Sequence, residues 1–212
     1  MAEHDDPDRY RTVAAALEHE PAKTRGSRHI ANVFPVQNAD QIAAALASVK
    51  GRMPDATHHA WAWRLGRGPN EFRYSDDGEP SGSAGRPILQ QIDGRHVTDV
   101  LVVVTRYFGG TKLGVGGLVR AYGGAAADAL ERAAIVEVVP HATVRIAHAY
   151  EDSGVIAGVL RAWHVIPAQS EYGAEVRIEV AVPQARVAAF VDAVRDATAA
   201  RARIDVEPPE RA

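Results

Sequence analysis

The chain has 212 residues, 46% apolar and 24% charged, which is ordinary globular usage and excludes disorder of the whole chain. Its 24 basic and 27 acidic residues leave a formal net charge of −3, so any hold on nucleic acid or an anionic membrane must come from a local basic patch. Cysteine is absent, which removes disulfides, thiol nucleophiles and thiolate metal sites and accords with an expected cytoplasmic setting.

In chain order, residues 1–8 read as a frayed tail, as do 207–212. Met1 to Arg11 is acidic and polar, unlike a signal peptide. No run approaches the ~20 apolar residues of a membrane span. The stretch SRHIANVFPV is extended. Residues 40–53 follow as a helix with Ile42, Leu46, Val49 and Met53 on one stripe, capped by Asn38 or Asp40. THHAWAWRL (57–65) alternates, with His59, Trp61, Trp63 and Leu65 on one face and His58, Ala60, Ala62 and Arg64 on the other. Residues 66–83 read as a long loop and 84–92 as a short helix. VTDVLVVVTRY (97–107) is nearly continuous in apolar, mostly β-branched residues, the mark of a strand covered on both faces. A glycine-rich turn at 109–117 leads into a helix to about 134, with Leu118, Tyr122, Ala125, Ala129 and Leu130 along its apolar stripe.

The second half has a different rhythm. A strand at 142–150 precedes a helix capped by Asp152 or Ser153 and faced by Ile156, Val159, Leu160 and Trp163. Strands follow at 165–171 and 175–182. Pro183 suits the first turn of a helix faced by Val187, Phe190, Val191 and Val194, and 202–207 closes the chain. The order β-α-β-β-α-β is the split βαβ plan. Val139-Pro140 is the expected junction, giving domains 1–139 and 140–212. The second would leave one sheet face open, with Arg177 and Glu179 outward, as a surface for a protein partner.

Two segments carry more glycine and polar residues than a core requires. One is Ser75–Arg86, SDDGEPSGSAGR, with Asp76, Asp77, Glu79, Ser81, Ser83 and Arg86. The other is Thr105–Gly124, TRYFGGTKLGVGGLVRAYGG. From Val100 to Ala127 there is no acidic residue, whereas Arg106, Lys112 and Arg120 are basic. A glycine turn opening a helix offers free amides and the positive end of the helix dipole. The expected site is therefore an anion site formed by Arg106, Gly109, Gly110, Lys112, Gly114, Gly116, Gly117 and Arg120. Tyr107 and Tyr122 flank it and are expected to be exposed for stacking. The bland alternative gives the glycines to tight turns and close packing.

Nucleotide motifs fail: no Gly-Lys-Ser/Thr occurs, and Gly114-Val-Gly116 is followed by Val119 where a dinucleotide fingerprint needs glycine. The acidic trio could hold Mg²⁺, but a plain acidic loop, or pairing with Arg86, Arg106 or Arg120, is the favoured reading, and neither a metal nor a cofactor is expected. Ser81-Gly-Ser83-Ala-Gly85 falls one residue short of a nucleophile elbow. His58 and His59 point to opposite faces and cannot chelate together, and Trp61 and Trp63 read as core.

SDDGEPSGSAGRPIL followed by VVVTRYFGGTKLGVGGLVRAYGGAAADAL closely resembles the YigZ/IMPACT family, also called UPF0029, over about residues 23–136. The remainder is similar to the small domain that follows in bacterial members by order of elements. The resemblance implies a two-domain α+β protein. Its N-terminal domain would have the ribosomal protein S5 domain 2-type fold. Its C-terminal domain would be ferredoxin-like, similar to domain V of elongation factor G. Eukaryotic members regulate translation through a separate N-terminal domain, for which the roughly 22 residues before the family segment leave no room. The expected function is a translation-associated regulator that binds structured RNA or the ribosome through the basic glycine turn. The alternatives are a metal-assisted enzyme acting on a phosphorylated small molecule, or a protein–protein module.

Overall fold

Strand β6 (Val100–Tyr107) shows why its sequence is an unbroken apolar run. Val100, Val102 and Val104 pack into one core and Leu101 and Val103 into another, on opposite faces of the same sheet. The computed structural model describes residues 8–66, 68 and 70–208. Of the expected tails, 1–8 and 207–212, residues 1–7 and 209–212 lie outside the described residues, and Glu207 ends a strand. The chain divides into two compact units, Tyr10–Val138 and the unit from Val139 onward, so the architecture is two-domain α+β.

In the first unit an antiparallel sheet runs in the order β2 (Leu17–His19), β3 (Arg28–Pro35), β6, β4 (His58–Arg64), β5 (Phe72–Ser75). Helix α1 (Ala39–Arg52) covers one face with Ile42, Val49 and, at its C-cap, Met53; the Asn38 side chain caps it by accepting from the Gln41 amide at 2.9 Å. Trp61 and Trp63 pack against this core, as their alternation predicts. Helices α2 (Gly85–Gly94) and α3 (Val115–Arg132) cover the other face. β1 (Tyr10–Val13) and β7 (Ile135–Val138) form a separate ribbon. The expected loop at 66–83 instead contains β5, an edge strand paired with β4 from Trp61↔Ser75 to Arg64↔Phe72.

The second unit follows β8 (His141–His148), α4 (Ser153–Trp163), β9 (Pro167–Tyr172), β10 (Val176–Pro183), α5 (Val187–Ala197), β11 (Arg203–Glu207), with sheet order β11-β8-β10-β9. Ile156, Leu160, Phe190, Val191 and Val194 seal one sheet face, as their helical spacing requires. Two local readings are corrected. Pro183 ends β10, and a 3-10 turn at Gln184–Arg186 intervenes before α5. The Asp152 side chain makes no cap bond to α4; it is buried and pairs with Arg201, a stronger partner than a backbone amide.

Candidate functional site

Period two along β6 continues past Val104 to Arg106, which therefore enters the α2/α3 side of the sheet. His29 on β3 and His58 on β4 stand opposite Arg106 in register, so three basic side chains form one row across three strands. Arg106 is only 5% exposed and Tyr122 is fully buried, which overturns both as solvent-facing members of an anion site. Glu79 is what draws them in: Oε1 accepts from Arg106 Nη1 and from Tyr122 Oη, each at 2.7 Å, and lies 3.8 Å from His58 Nε2. Burial and the neighbouring carboxylate push the Tyr122 phenol far up, leaving it a hydrogen-bond donor at any working pH. Burial first, and the Arg106 charge second, push His29 down to about 4, so it is neutral near pH 7; its ring packs edge-on to Tyr122 at 5.3 Å. The cluster ties the acidic segment, the sheet and α3 together.

The other carboxylates of the acidic segment are also engaged. Asp76 Oδ1 accepts from the amides of Ala84 (3.0 Å) and Gly85 (2.9 Å), and Oδ2 accepts from Gly82 (2.8 Å), so the fold's own carboxylate occupies the start of α2. Asp77 Oδ2 accepts from the His59 amide at 2.6 Å, and Oδ1 lies 3.6 Å from Lys50. Ser83 is buried and donates to the Pro80 carbonyl at 2.6 Å, whereas Ser81 and Arg86 are exposed. Among the described residues no group of three or more His, Asp and Glu is arranged to hold a metal ion.

The glycine turn presents a different surface. Gly114 has φ +70°, a region that favours glycine, so α3 begins without a side-chain cap. Gly110, Lys112, Gly114, Gly116 and Arg120 are exposed, and Gly117 is half-buried. Neither Lys112 nor Arg120 has a carboxylate partner among the described residues. Gly109 serves packing: a Cβ there would stand 1.9 Å from the Gly26 carbonyl carbon, so two backbones touch. Its amide also donates to Ser27 Oγ at 3.1 Å. Tyr107 is half-buried; its hydroxyl donates to Asp55 at 3.0 Å, and Arg28 lies 5.1 Å from its ring centre. Sequence reasoning missed the turn Thr24–Ser27, which brings exposed Arg25 beside α3 in a notch it shares with Arg120. The only signal for it is Arg25-Gly26, a pair placed to take positive φ.

No helix among the described residues is long and apolar enough to cross a membrane. Residues 25–130 match the Impact N-terminal domain, and residues 150–201 match a domain of unknown function (DUF1949). The chain is 37% identical to the IMPACT family member YigZ of Escherichia coli (strain K12), over 77% of this chain and 81% of the relative. It is 35% identical to the IMPACT family member YvyE of Bacillus subtilis (strain 168), over 89% of this chain and 87% of the relative. It is also similar to a solved structure described as a hypothetical protein, with a TM-score of 0.67 and 32% identity, covering 96% of this chain and 98% of that one.

Proposed function

The chain belongs to the IMPACT family, and from that premise we propose that it is a translation-associated regulator that binds structured RNA or the ribosome through the exposed glycine turn. The observation that carries this reading is the uncapped, solvent-facing start of α3 with Lys112 and Arg120 unpaired beside it. Helix amides and unpaired cations together favour phosphate oxygens. Arg106 and Tyr122 are buried on Glu79 and take no direct part in that surface. The finer fold assignments are part of the same proposal. For the first unit it is the ribosomal protein S5 domain 2-type fold. For the second it is the ferredoxin-like fold, supported by the β-α-β-β-α-β order and the sheet order β11-β8-β10-β9.

The C-terminal sheet face is the poorer RNA surface. Its groove is lined by Arg145, Arg177 and Arg203 but also by Glu171, Glu175, Glu179 and Asp205, and Glu175 pairs with both Arg177 and Arg203. Cations neutralised in this way suit a protein partner better than a polyanion.

The test is equilibrium binding of a structured RNA, and of ribosomes, across a salt series for the wild type and Lys112→Ala/Arg120→Ala. The expected result is weaker binding and a log–log salt slope shallower by about 0.7–0.9 for each phosphate contact removed. Affinity and slope unchanged in the folded double variant would overturn the reading. Arg106 is left intact because its loss would disturb the fold.

A further inference from the structure

Thr24 and Ser27 exchange two backbone hydrogen bonds, of 2.9 and 3.0 Å, and close a two-residue turn over Arg25 and Gly26. Both central residues have positive φ, +47° and +84°. Turns of this kind favour asparagine, aspartate or glycine in first place, and an arginine there carries backbone strain. No hydrogen bond or ion pair of the Arg25 side chain among the described residues offsets that strain. The turn is held firmly, since Gly26 lies against Gly109 and Ser27 Oγ accepts from the Gly109 amide. The strained position thus fixes the backbone from which Arg25 projects at one place on the surface.

That place is a notch of about 150 Å³ lined by Thr24, Arg25, Leu113, Gly117, Arg120 and Ala121. The second guanidinium comes from α3. Arg120 Nη1 reaches back over the first turn, 3.6 Å from where a Cβ on Gly116 would stand. Two arginines from separate segments, Arg25 and Arg120, thus line one small concavity. At about 150 Å³ the notch is small, of a size for one phosphate group. Two forked cations match a dianion better than the single charge of an internal phosphodiester. The apolar walls of Leu113 and Ala121 reduce competition from water.

We propose that the Arg25–Arg120 notch binds a terminal phosphate, a phosphomonoester dianion, carried either by the end of an RNA chain or by a mononucleotide. The RNA source rests on the function proposed above, whereas the mononucleotide source does not. Internal phosphates would lie along the open turn at Lys112.

The experiment compares one RNA bearing a 5′-phosphate, a 3′-phosphate or only hydroxyl ends, together with adenosine monophosphate. Each is titrated against the wild type, Arg25→Asn and Lys112→Ala. Arg25→Asn suits the turn and is expected to melt no lower than the wild type, so loss of binding in it is not loss of folding. The expected result is about tenfold tighter binding of one end-phosphorylated RNA over the hydroxyl-ended RNA, the size of losing a charge-assisted hydrogen-bond pair. That preference should disappear in Arg25→Asn and persist in Lys112→Ala. Binding of the mononucleotide without any RNA, lost in Arg25→Asn, would keep the notch and remove the RNA reading. Equal RNA affinities whatever the ends, with no response to the mononucleotide, would overturn the notch and leave the RNA reading standing. No binding of any probe would overturn both.

Discussion

The acidic segment Ser75–Arg86 and the glycine turn Gly109–Gly117 look equally functional as strings of residues, yet the fold uses them in opposite ways. In the first, Asp76 caps α2, Asp77 holds the start of β4 and Glu79 neutralises Arg106 inside the protein. In the second, Lys112, together with Arg120 just beyond it in α3, remains in solvent without a carboxylate partner among the described residues. A cluster of charges in sequence becomes a binding surface only where the fold has not already spent its partners on itself. Substitution of Asp76, Asp77 or Glu79 should therefore destabilise the protein, whereas substitution of Lys112 or Arg120 should change mainly what it binds.

The sharpest break of that contrast is Arg106→Leu, which leaves Glu79 buried without its cation and should cost about 3–5 kcal/mol in urea unfolding. Arg106→Leu/Glu79→Leu should recover much of the loss, because the stranded charge is gone. If the double variant were no more stable than the single one, the pair would not be the reason both groups are buried. Next comes pH. His29 has a pKa of about 4 in the fold and about 6.5 in the unfolded chain. Between those values the unfolded state takes up a proton that the native state refuses, so stability present above pH 6.5 is lost as pH falls towards 4. Burial pushes His59 in the same direction. His29→Gln should flatten the acid limb of a Tm-against-pH series by roughly 3 kcal/mol at most. An unchanged limb would move the proton uptake elsewhere. Asp76→Ala should cost about 2 kcal/mol, because the amides of Gly82, Ala84 and Gly85 lose their acceptor. Lys112→Ala and Arg120→Ala should each shift stability by less than about 0.5 kcal/mol while weakening RNA binding.

Much of this was legible in the sequence, and the exceptions have physical causes. The main helices and long strands follow from period 3.6 and period 2, because each buries an apolar face. β1, β2, β5 and β7 are only three or four residues long, with polar residues such as Arg11, Glu18, Arg73 and Glu137 interrupting them, too short to impose a rhythm. Arg106 was readable in principle, since counting by twos from Val100 points it inward. Its partner Glu79 lies on a distant loop; pairing of that acidic segment with Arg106 is among the readings favoured from sequence, but the separation along the chain singles out neither Glu79 nor the burial of the pair. Tyr122 belongs to the apolar stripe of α3, and that periodicity outweighs its position beside the glycines. Arg25 left almost no trace, because its importance depends on a backbone angle and on a helix that packs beside it only after folding.

The β1–β7 ribbon has one more consequence. Tyr10 stands opposite Val138, so the first unit begins and ends at neighbouring points. A segment whose ends meet can be spliced into another chain, or detached from a following domain, without pulling on its interior. A circular permutant that joins residue 138 to residue 10 through a short glycine-serine bridge, and opens instead at the exposed end of α1 near Gly51, should retain the fold as a self-contained cassette.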